Sequence, residues 1–426
     1  MSQAVKAIPI EKETAVVDGV DVSGHWNRMF EQRVIFTYTP ENIEDIAALP
    51  GGESLAWCYQ CAKCVGVCPV DIVGDYGPRK IYRKVQTGIA LVDDPDLWLC
   101  TTCMNCLRVC PKEVDMIKIM PAVREVAVNK GAVPNELQKA FENTARYGNP
   151  LGENPRKRAE WAKDAGVNVP IMAQIKKPVD VLWYVSTYTS YHPRGKDAAR
   201  AMARVFSALG VDWGILGVEE KDDGDSQRLA GEKGLFEMLA EQNIATFNKY
   251  QFNKMVVSGP HEYNAFKNLY PQYGGNFPIE HYTQFLRPFI PRLQELMQKS
   301  LNVQVTFHDP CYLGRHNGEY DAPRDVLRAI PGVDLIEMGR CKANGYCCGG
   351  GGGGMWLDSF SRDFTSMRLS ERRVREAVET GADVLAVCCP FEVSRFEDAV
   401  KSTGNAGKLV VKDIIELVDE SMRGLS

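Results

Sequence analysis

The chain contains 426 residues, of which 45% are hydrophobic and 25% are charged, and its net charge is −5. This length predicts two or three domains, and the composition is typical of soluble globular proteins. The slightly acidic balance gives no reason to expect a nucleic-acid partner. Fourteen cysteines would indicate disulfides in a secreted protein, but their spacing here is that of metal ligands, which predicts a reducing compartment.

Residues 1–54 contain no cysteine and end in the turn signal Pro50-Gly51-Gly52, so we interpret them as an N-terminal extension. The segment Met1–Asp18 lacks the apolar core of a signal peptide, and no apolar stretch in the sequence is long enough to span a bilayer. We therefore expect a cytoplasmic protein. Any membrane association is expected to come through a partner subunit.

Residues 55–125 carry one cysteine pattern twice, which predicts a ferredoxin-type domain with two cubane [4Fe–4S] clusters. The two copies are Cys58-x2-Cys61-x2-Cys64-x3-Cys68-Pro69 and Cys100-x2-Cys103-x2-Cys106-x3-Cys110-Pro111. In this spacing three thiolates of a run hold one cluster and the fourth reaches the other cluster. The predicted ligand sets are therefore Cys58, Cys61, Cys64 and Cys110 for one cluster, and Cys100, Cys103, Cys106 and Cys68 for the second. A single run would also suit a zinc knuckle, but two complete runs favour iron–sulfur clusters.

The segment Pro78–Gly88 between the runs predicts a short helix, because proline stands near its start and glycine near its end. The long separation of Cys68 from Cys100 indicates a mostly helical ferredoxin domain rather than the compact two-hairpin form. Residues 126–178 are charged and interrupted by prolines, and we interpret them as a helical linker.

From residue 179 onward, buried-strand patterns alternate with helical segments, which predicts α/β units. The predicted strands are Val179–Val185, Lys254–Gly259, Val303–Phe307 and Val384–Val387, and the predicted helices include Ala198–Ala208 and Asp363–Glu379. A weak internal repeat relates the loops that follow these strands. We therefore predict two related α/β halves, residues 179–300 and residues 301–426.

The six remaining cysteines all follow residue 310: Cys311, Cys341, the pair Cys347-Cys348 and the pair Cys388-Cys389. Six glycines, Gly349–Gly354, follow the first pair. Buried structural thiols are one interpretation, since free cysteine is often part of a core. A phosphate-binding loop is excluded because Met355-Trp356 follows the glycines instead of Gly-Lys-Ser/Thr. Two adjacent pairs and a glycine run favour a loop wrapped around a metal centre, because glycine permits close backbone approach.

The series Cys311…Cys347-Cys348-Gly349…Cys389-Pro390 resembles the CCG cysteine-rich domain. Together with the preceding ferredoxin runs, the order of motifs resembles that of the D-type subunit of heterodisulfide reductase and its relatives. The resemblance implies an α+β multidomain protein in which the CCG cysteines hold a noncubane [4Fe–4S] cluster that reduces or forms a disulfide. In the first half, Ser186-Thr187-Tyr188 and the turn beginning at Ser258 stand where that family has a further CCG motif, so we expect residues 179–300 to bind no cluster.

The final Cys-x-x-Cys of the motif reads Cys389-Pro390-Phe391-Glu392 in this chain. The resemblance therefore leaves the fifth ligand open, and we expect Cys311, Cys347, Cys348, Cys388 and Cys389 to be the ligands of the third cluster. Cys341 is either an alternative fifth ligand or a thiol on the substrate side. We assign catalytic roles to Cys311, Cys347, Cys348 and His308. His308 is either a proton donor to the leaving thiolate or only a hydrogen-bonding residue of the loop.

Two further expectations concern the substrate. The glycine run is expected to leave room for a partner's cysteine-bearing tail, and Arg315 and His316 are candidates to meet an anionic tail.

A single filled CCG motif is most similar to DsrK, the cytoplasmic subunit of the Dsr transmembrane complex of sulfur metabolism. That resemblance implies an integral-membrane cytochrome b-type subunit, other subunits of the complex, and a small DsrC-like protein with a redox-active cysteine tail as partners. The protein would then lie on the inner face of the cytoplasmic membrane. Alternatives are methanogen-type heterodisulfide reductase, or the electron-relay subunit of a lactate, glycolate or glycerol-3-phosphate dehydrogenase. A relay or docking subunit without an active third cluster is the non-enzymatic alternative.

Overall fold

The computed structural model describes residues 16–17, 20–21, 41–87, 91 and 94–422. Most of the predicted N-terminal extension, and Gly88 at the end of the predicted helix, lie outside the described residues. Within the extension, β1 (Val16–Val17) pairs antiparallel with β2 (Val20–Asp21). Among the helices of the described residues, none has the length and apolar character needed to cross a bilayer.

The ferredoxin part is helical, as predicted. Its helices are α1 (Glu41–Ala48), α2 (Pro69–Val73), α3 (Pro78–Gln86), α4 (Asp96–Leu99), α5 (Asn105–Val109) and α6 (Met116–Asn129). Pro69 occupies the first position of α2, where a proline needs no amide hydrogen, so it starts a helix rather than stopping one. Pro111 follows the end of α5. The Asp115 carboxylate caps α6 by accepting hydrogen bonds from the amides of Ile117 and Lys118.

The segment that we interpreted as a helical linker packs against the α/β part. It contains α7 (Asn135–Tyr147) and α8 (Met172–Ile175), with 3₁₀ turns at Pro155–Lys157 and Glu160–Asp164. Trp161 is buried in the α/β core and meets Trp183 edge-on, with ring centroids 5.4 Å apart. Aromatic pairs of this kind add to the stabilisation that burial provides.

Two four-stranded sheets, both entirely parallel, form the α/β part. Their strands are β3 (Val179–Tyr184), β4 (Trp213–Ile215), β5 (Phe252–Val257), β6 (Ile279–His281), β7 (Val303–Phe307), β8 (Val333–Leu335), β9 (Val384–Val387) and β10 (Val410–Asp413). The strand orders are β4-β3-β5-β6 and β8-β7-β9-β10. When the strands of each half are counted along the chain, both sheets have the order second, first, third, fourth. The four predicted strands are the central ones. The four strands that the sequence did not reveal are short and lie away from the centre.

Helices surround both sheets. They are α9 (Thr187–Tyr191), α10 (Pro193–Leu209), α11 (Asp225–Leu229), α12 (Lys233–Phe247), α13 (Pro260–Asn268), α14 (Tyr282–Leu286), α15 (Ile290–Leu296), α16 (Asp321–Ala329), α17 (Asp358–Phe364), α18 (Leu369–Glu379), α19 (Glu392–Ser402) and α20 (Ile414–Met422). The predicted helix Asp363–Glu379 is wrong in its first part, because Arg368 is extended and caps α18 with Glu371. Helix α10 of the first half packs on α20 of the second, where Arg204 pairs with Asp419 at 2.7 Å.

The second sheet contributes to two cores. Successive residues of a strand point to opposite faces. Along β9, Val384 and Ala386 join the core between the two sheets, whereas Leu385 and Val387 join the core that includes the ferredoxin part. The ferredoxin part therefore packs directly on the outer face of the second half.

Arg124, on α6, connects three segments that are distant in the chain. Its side chain is fully buried and lies over the Trp98 ring, 5.5 Å from the centroid. It donates hydrogen bonds of 2.7–2.9 Å to the carbonyls of Leu97 and Cys100 in the ferredoxin part, Leu229 in the first half and Gly352 in the glycine run. All three nitrogens of the guanidinium are therefore used.

We predict that Arg124→Met lowers the free energy of unfolding by about 3–5 kcal/mol, because it leaves several buried carbonyls without a donor. The measurement is urea unfolding of the anaerobically purified protein. The control is Arg146→Met, since Arg146 is an exposed helix residue that only covers the Tyr147 ring; it should cost less than about 0.5 kcal/mol. Equal losses in the two variants would contradict the role of Arg124.

Candidate metal centres

The first predicted ligand set surrounds one space of ≈ 320 Å³ near the surface. Cys58, Cys61, Cys64 and Cys110 all line it. Cys61 is exposed, Cys58 and Cys110 are half-buried, and Cys64 is buried. The fourth cysteine of the second run thus lies with the first three cysteines of the first run.

The second predicted set surrounds a space of similar size, ≈ 330 Å³, in the interior. Cys68, Cys100, Cys103 and Cys106 line it, and all four are buried. Here the fourth cysteine of the first run lies with three cysteines of the second. The structure therefore brings together both crossed sets as the spacing predicts them.

Both cysteine runs contain residues in the left-handed region at matching positions. Gln60 and Ala62 flank the second cysteine of the first run, with φ of 67° and 66°. Thr102 and Met104 flank the second cysteine of the second run, with φ of 51° and 70°. Residues other than glycine rarely adopt this conformation, and where they do they cluster at functional sites. The turns curl the backbone around each space, and the Thr102 amide donates to the Cys100 sulfur at 3.4 Å.

The third group of thiols lies at the carboxyl edge of the second sheet. Strands β7 and β9 are adjacent and parallel, and Phe307 pairs with Ala386. His308 follows β7 directly, and its amide donates to the Ala386 carbonyl at 3.0 Å. Since β8 lies on one side of this pair and β10 on the other, the strand order reverses between β7 and β9, which is where parallel sheets form ligand sites.

The sulfur of Cys347 is at the centre of this group. Hydrogen bonds from neighbouring thiols hold the pKa of Cys347 well below its usual value. Cys103 contributes most, followed by Cys311 and Cys348. The same contacts with Cys347 contribute to raising the pKa of its three partners. Cys103 also lines the second space. A ferredoxin cysteine therefore lies close enough to a cysteine of the α/β part to change its pKa, which no motif in the sequence predicts.

Cys388 and Cys341 do not join this group. Cys388 continues the alternation of β9 and packs with Ala386 in the core between the sheets, whereas Cys311, Cys347 and Cys348 belong to the other core. Cys388 therefore lies on the face of the second sheet that points away from these three thiols, contrary to our prediction that it is a ligand of the third centre. Cys341 is half-buried, and burial, followed by the charges of Glu337 and Asp309, raises the pKa of its thiol. Cys389 is buried beside Glu392.

His308 is held between Arg373 and Glu392. The Arg373 Nε donates to Nδ1 of His308 at 3.1 Å, and Nε2 lies 3.2 Å from the Glu392 Oε1. Burial and then the positive charge of Arg373 keep the pKa of His308 well below its usual value. Burial, followed by the charge of Cys347, raises the pKa of Glu392 well above its usual value. A neutral His308 with both ring nitrogens engaged is a poor proton donor to a leaving thiolate, so the hydrogen-bonding alternative agrees better with the structure.

The glycine run is packed against the ferredoxin part. A Cβ at Gly351 would lie 2.5 Å from the Thr101 carbonyl oxygen, and a Cβ at Gly352 would lie 2.3 Å from that of Cys100. These positions require glycine because two backbones meet there. Gly350 is less crowded, since its nearest neighbour would be the Cys348 sulfur at 3.6 Å. Our expectation that the whole run leaves room for a partner's tail was wrong, because most of that room is filled by the loop that carries Cys100.

Arg315 and His316 likewise contact the ferredoxin loop rather than an open cleft. The Arg315 Nε donates to the Cys103 carbonyl at 2.6 Å, and Nη1 donates to that of Gly345 at 2.6 Å. His316 Nε2 lies 3.0 Å from the Thr102 carbonyl oxygen. The expectation that these two side chains meet an anionic tail therefore does not agree with the contacts they make.

The first half contains no thiol, and its polar residues support the second half. His261 pairs with Asp225 at 2.8 Å and stacks on Tyr312 at 3.9 Å, and His281 Nε2 donates to the Cys388 carbonyl at 3.1 Å. Among the described residues, one set of three His, Cys or carboxylate side chains has its potential metal-ligand atoms close together. This set is His308, Cys348 and Glu392. The histidines of the first half are not part of it.

The residues around these centres fit iron–sulfur clusters. Four cysteine sulfurs around each of two spaces are the soft donors that such clusters need. Within the described chain, Arg124 and Arg315 donate only to carbonyls, and Nη2 of Arg315 has no partner. A buried cation is unfavourable unless an opposite charge is close. Metal-bound thiolates would provide that charge, since Cys100 lies near Arg124 and Cys103 near Arg315.

Comparisons with known proteins identify known domains in the ferredoxin part and in the second α/β half. Residues 54–114 match the 4Fe-4S dicluster domain, and residues 305–391 match the CCG cysteine-rich domain. The D-type subunit of dihydromethanophenazine:CoB–CoM heterodisulfide reductase from Methanosarcina barkeri is 34% identical over 403 residues, which cover 87% of this chain and 94% of the relative. EtfAB:quinone oxidoreductase of Syntrophomonas wolfei is 36% identical over 338 residues, covering 78% and 47%. A probable membrane-anchored ferredoxin of Chromohalobacter salexigens is 33% identical over 403 residues, covering 85% and 59%.

The chain therefore combines a helical 4Fe-4S dicluster domain with a CCG cysteine-rich domain, which defines an iron–sulfur protein. The chain belongs to the family of the D-type subunits of heterodisulfide reductase, which confirms the resemblance drawn from the motifs. It spans about half the length of the quinone oxidoreductase and somewhat more of the membrane-anchored ferredoxin.

We predict that Cys110→Ser damages the cluster of the first run, because Cys110 lines that space. Electron paramagnetic resonance (EPR) of the reduced protein should then show the loss of one cubane signal, and the matched variant Cys68→Ser should remove the other. If the two variants remove the opposite signals, the ligands are not crossed.

We also predict that Arg315→Met lowers the reduction potential of the cluster next to Cys103. Removing a nearby positive charge disfavours the more negative, reduced form, by roughly 50–100 mV for charges that interact by about 1–2 kcal/mol. Redox titration monitored by EPR measures the shift. Arg108→Met is the control, because Arg108 is exposed and its charge is screened by solvent. A shift of equal size in both variants would contradict the prediction.

Proposed function

We propose that this chain carries electrons through two cubane [4Fe–4S] clusters to a third, noncubane [4Fe–4S] centre that reduces or forms a disulfide. The observation that carries the proposal is that Arg315 donates to the carbonyls of Cys103 and Gly345, each at 2.6 Å, which holds the loop around the second cubane space against the segment that leads to Cys347. Cys103 lines the second cubane space, and Cys347 belongs to the CCG motif. When bound, the clusters would supply one-electron transfer, which must occur twice for each disulfide.

The burial of the cysteines suggests the order of transfer. The first set includes the exposed Cys61, so an external redox partner can approach it most closely. Cys64 of that set and Cys106 of the second set are buried in the same core. The second set is buried, and Arg315 holds its Cys103 loop against the segment before Cys347. Electrons would therefore be exchanged with the partner at the first set and with the substrate at Cys347 and Cys348.

When a substrate disulfide is reduced, it takes up two electrons and two protons and becomes two thiols. The exposed residues nearest in the chain to Cys347 are Lys342 and Asn344, within residues 340–345. This segment is held by Arg315, which donates to two of its carbonyls, and by Arg373, which donates to the Arg340 carbonyl. A protein substrate would approach along this segment, because the glycine run on the other side is covered by the ferredoxin part.

Two relatives suggest which redox partner this chain uses. One relative is named a membrane-anchored ferredoxin and another a quinone oxidoreductase. By analogy, we propose that an integral-membrane cytochrome b-type subunit exchanges electrons with the first set at the inner face of the cytoplasmic membrane. The similarity of the single CCG motif to DsrK favours a DsrC-like protein disulfide or trisulfide as the substrate. The crossed ligand sets, and Cys311, Cys347, Cys348 and Cys389 as ligands of the third centre, belong to the same proposal.

A pure electron relay is the second candidate function. The specific observation in its favour is the burial of Cys347, Cys348 and the entire glycine run, which limits access for a substrate. The two candidates differ in iron content and in reactivity. About twelve iron atoms per chain would support three clusters, whereas about eight would support a relay with two.

We predict that Cys347→Ala abolishes disulfide reduction and leaves about eight iron atoms per chain in two cubane clusters. The protein is reduced chemically, and its reoxidation by a DsrC-like trisulfide or by a small mixed disulfide is followed optically. Cys388→Ala is the matched control, because it belongs to an equally buried pair but packs in the core between the sheets. It should retain turnover within about twofold. Turnover that survives Cys347→Ala would mean that the disulfide reacts at another site, and the absence of turnover in the unaltered protein would favour the relay.

A further inference from the structure

Glu392 occupies the position at which the family motif has its last cysteine, and its side chain is buried at the start of α19. One ligand-type atom from each of His308, Cys348 and Glu392 lies within 4.8 Å of the other two. The carboxylate therefore faces the same space as the Cys348 thiol. Cys389 is three residues away in the chain, where the motif has its preceding ligand.

Hydrogen bonding decides which of these groups is free to bind a metal. Arginine nitrogens only donate hydrogen bonds, so Nδ1 of His308 must accept the bond from Arg373. The ring hydrogen is then on Nε2, which lies 3.2 Å from Oε1 of Glu392. Neither ring nitrogen then offers a free lone pair, so His308 is excluded as a ligand and lies beside the carboxylate instead.

The second oxygen of the carboxylate remains available. Oε2 of Glu392 is buried and has no hydrogen-bond partner within the described part of the chain. A buried carboxylate oxygen without a partner is unfavourable, and coordination to a metal is one way to satisfy it. The other candidates for the fifth ligand are less suitable, because Cys388 packs in the core between the sheets, and Cys341 is half-buried and is not part of the group that His308, Cys348 and Glu392 form.

We propose that Glu392 is an oxygen ligand of the third cluster through Oε2, in place of the thiolate of the family motif. The inference rests on the proposed function in so far as a third cluster is required. Carboxylate is a harder ligand than thiolate, and iron centres in proteins accept it together with other donors. The iron bound by Glu392 would then differ from the irons bound only by sulfur, and it would be the distinctive iron of this chain.

The test compares Glu392→Gln and Glu392→Cys with the unaltered, cluster-loaded protein. Glutamine keeps an acceptor for His308 but loses the anionic ligand, so the EPR signal of the oxidised third centre should fall at least about fivefold and one to about four iron atoms per chain should be lost. Cysteine restores the family ligand, so iron content should stay near about twelve while the g values of that signal shift. Both cubane signals should be unchanged in both variants.

The control is Glu376→Gln. Glu376 is a buried carboxylate that binds the other side of Arg373 at 2.7 Å, and the substitution should leave iron content and spectrum unchanged. Equal loss in Glu376→Gln and Glu392→Gln would overturn the proposal, since the effect would then belong to the buried charge network. An unchanged third signal in Glu392→Gln would overturn it as well.

Two readouts keep the test decisive. If Glu392→Gln does not fold, as judged by circular dichroism, Glu392→Cys decides, because an unshifted third signal means that residue 392 does not bind the cluster. If the unaltered protein has only about eight iron atoms and no third signal, the proposed function itself fails. About twelve iron atoms with an insensitive third signal would refute only the role of Glu392.

Discussion

The buried guanidinium of Arg124 joins the ferredoxin loop, the first α/β half and the glycine run, and the rest of the arrangement depends on this junction. The most distant carbonyl that it binds belongs to Gly352, which is 228 residues away in the chain. Because a guanidinium offers several donors in a fixed plane, it fixes the relative orientation of these segments as well as their distance. The glycines complete the junction, since any side chain at Gly351 or Gly352 would separate the backbones. The approach of Cys103 to Cys347 follows from this close packing.

Positive charge is concentrated where thiolates would be concentrated. Arg124, Arg315, Arg373 and Arg395 are all buried around the second and third groups of cysteines, and Arg395 donates to the Cys348 carbonyl at 2.8 Å. Arg373 and Arg395 pair with Glu376 and Asp358, whereas Arg124 and Arg315 have no carboxylate partner among the described residues, so bound clusters would offset the cost of burying those two cations. The same charges favour reduced clusters. The first set of cysteines, near the surface, lacks such a shell in its lining except for Arg79 and Lys112.

The half without thiols has a structural function that explains its position. It has the same strand order as the second half, and its α10 packs on α20. It also stabilises the site from one side through a ring stack in which Tyr312 lies between His261 and His316, at 3.9 and 4.0 Å. His316 in turn reaches the Thr102 carbonyl, between two cysteines of the second run. Contacts with the first half therefore extend to the loop around the second space.

The sequence by itself determined the features that depend on local spacing. The cysteine runs predicted the two crossed sets, whose members line common spaces, and the apolar runs predicted the central strands such as β7 and β9, because ligand spacing and strand burial are properties of contiguous residues. Only the tertiary structure decided which cysteines meet, because that depends on segments far apart in the chain. The face of β9 directs Cys388 away from the site, and the docking of α6 and the glycine run brings Cys103 to Cys347. Arginines carry no spacing signal, so the roles of Arg124, Arg315 and Arg373 became apparent only when their buried partners were known.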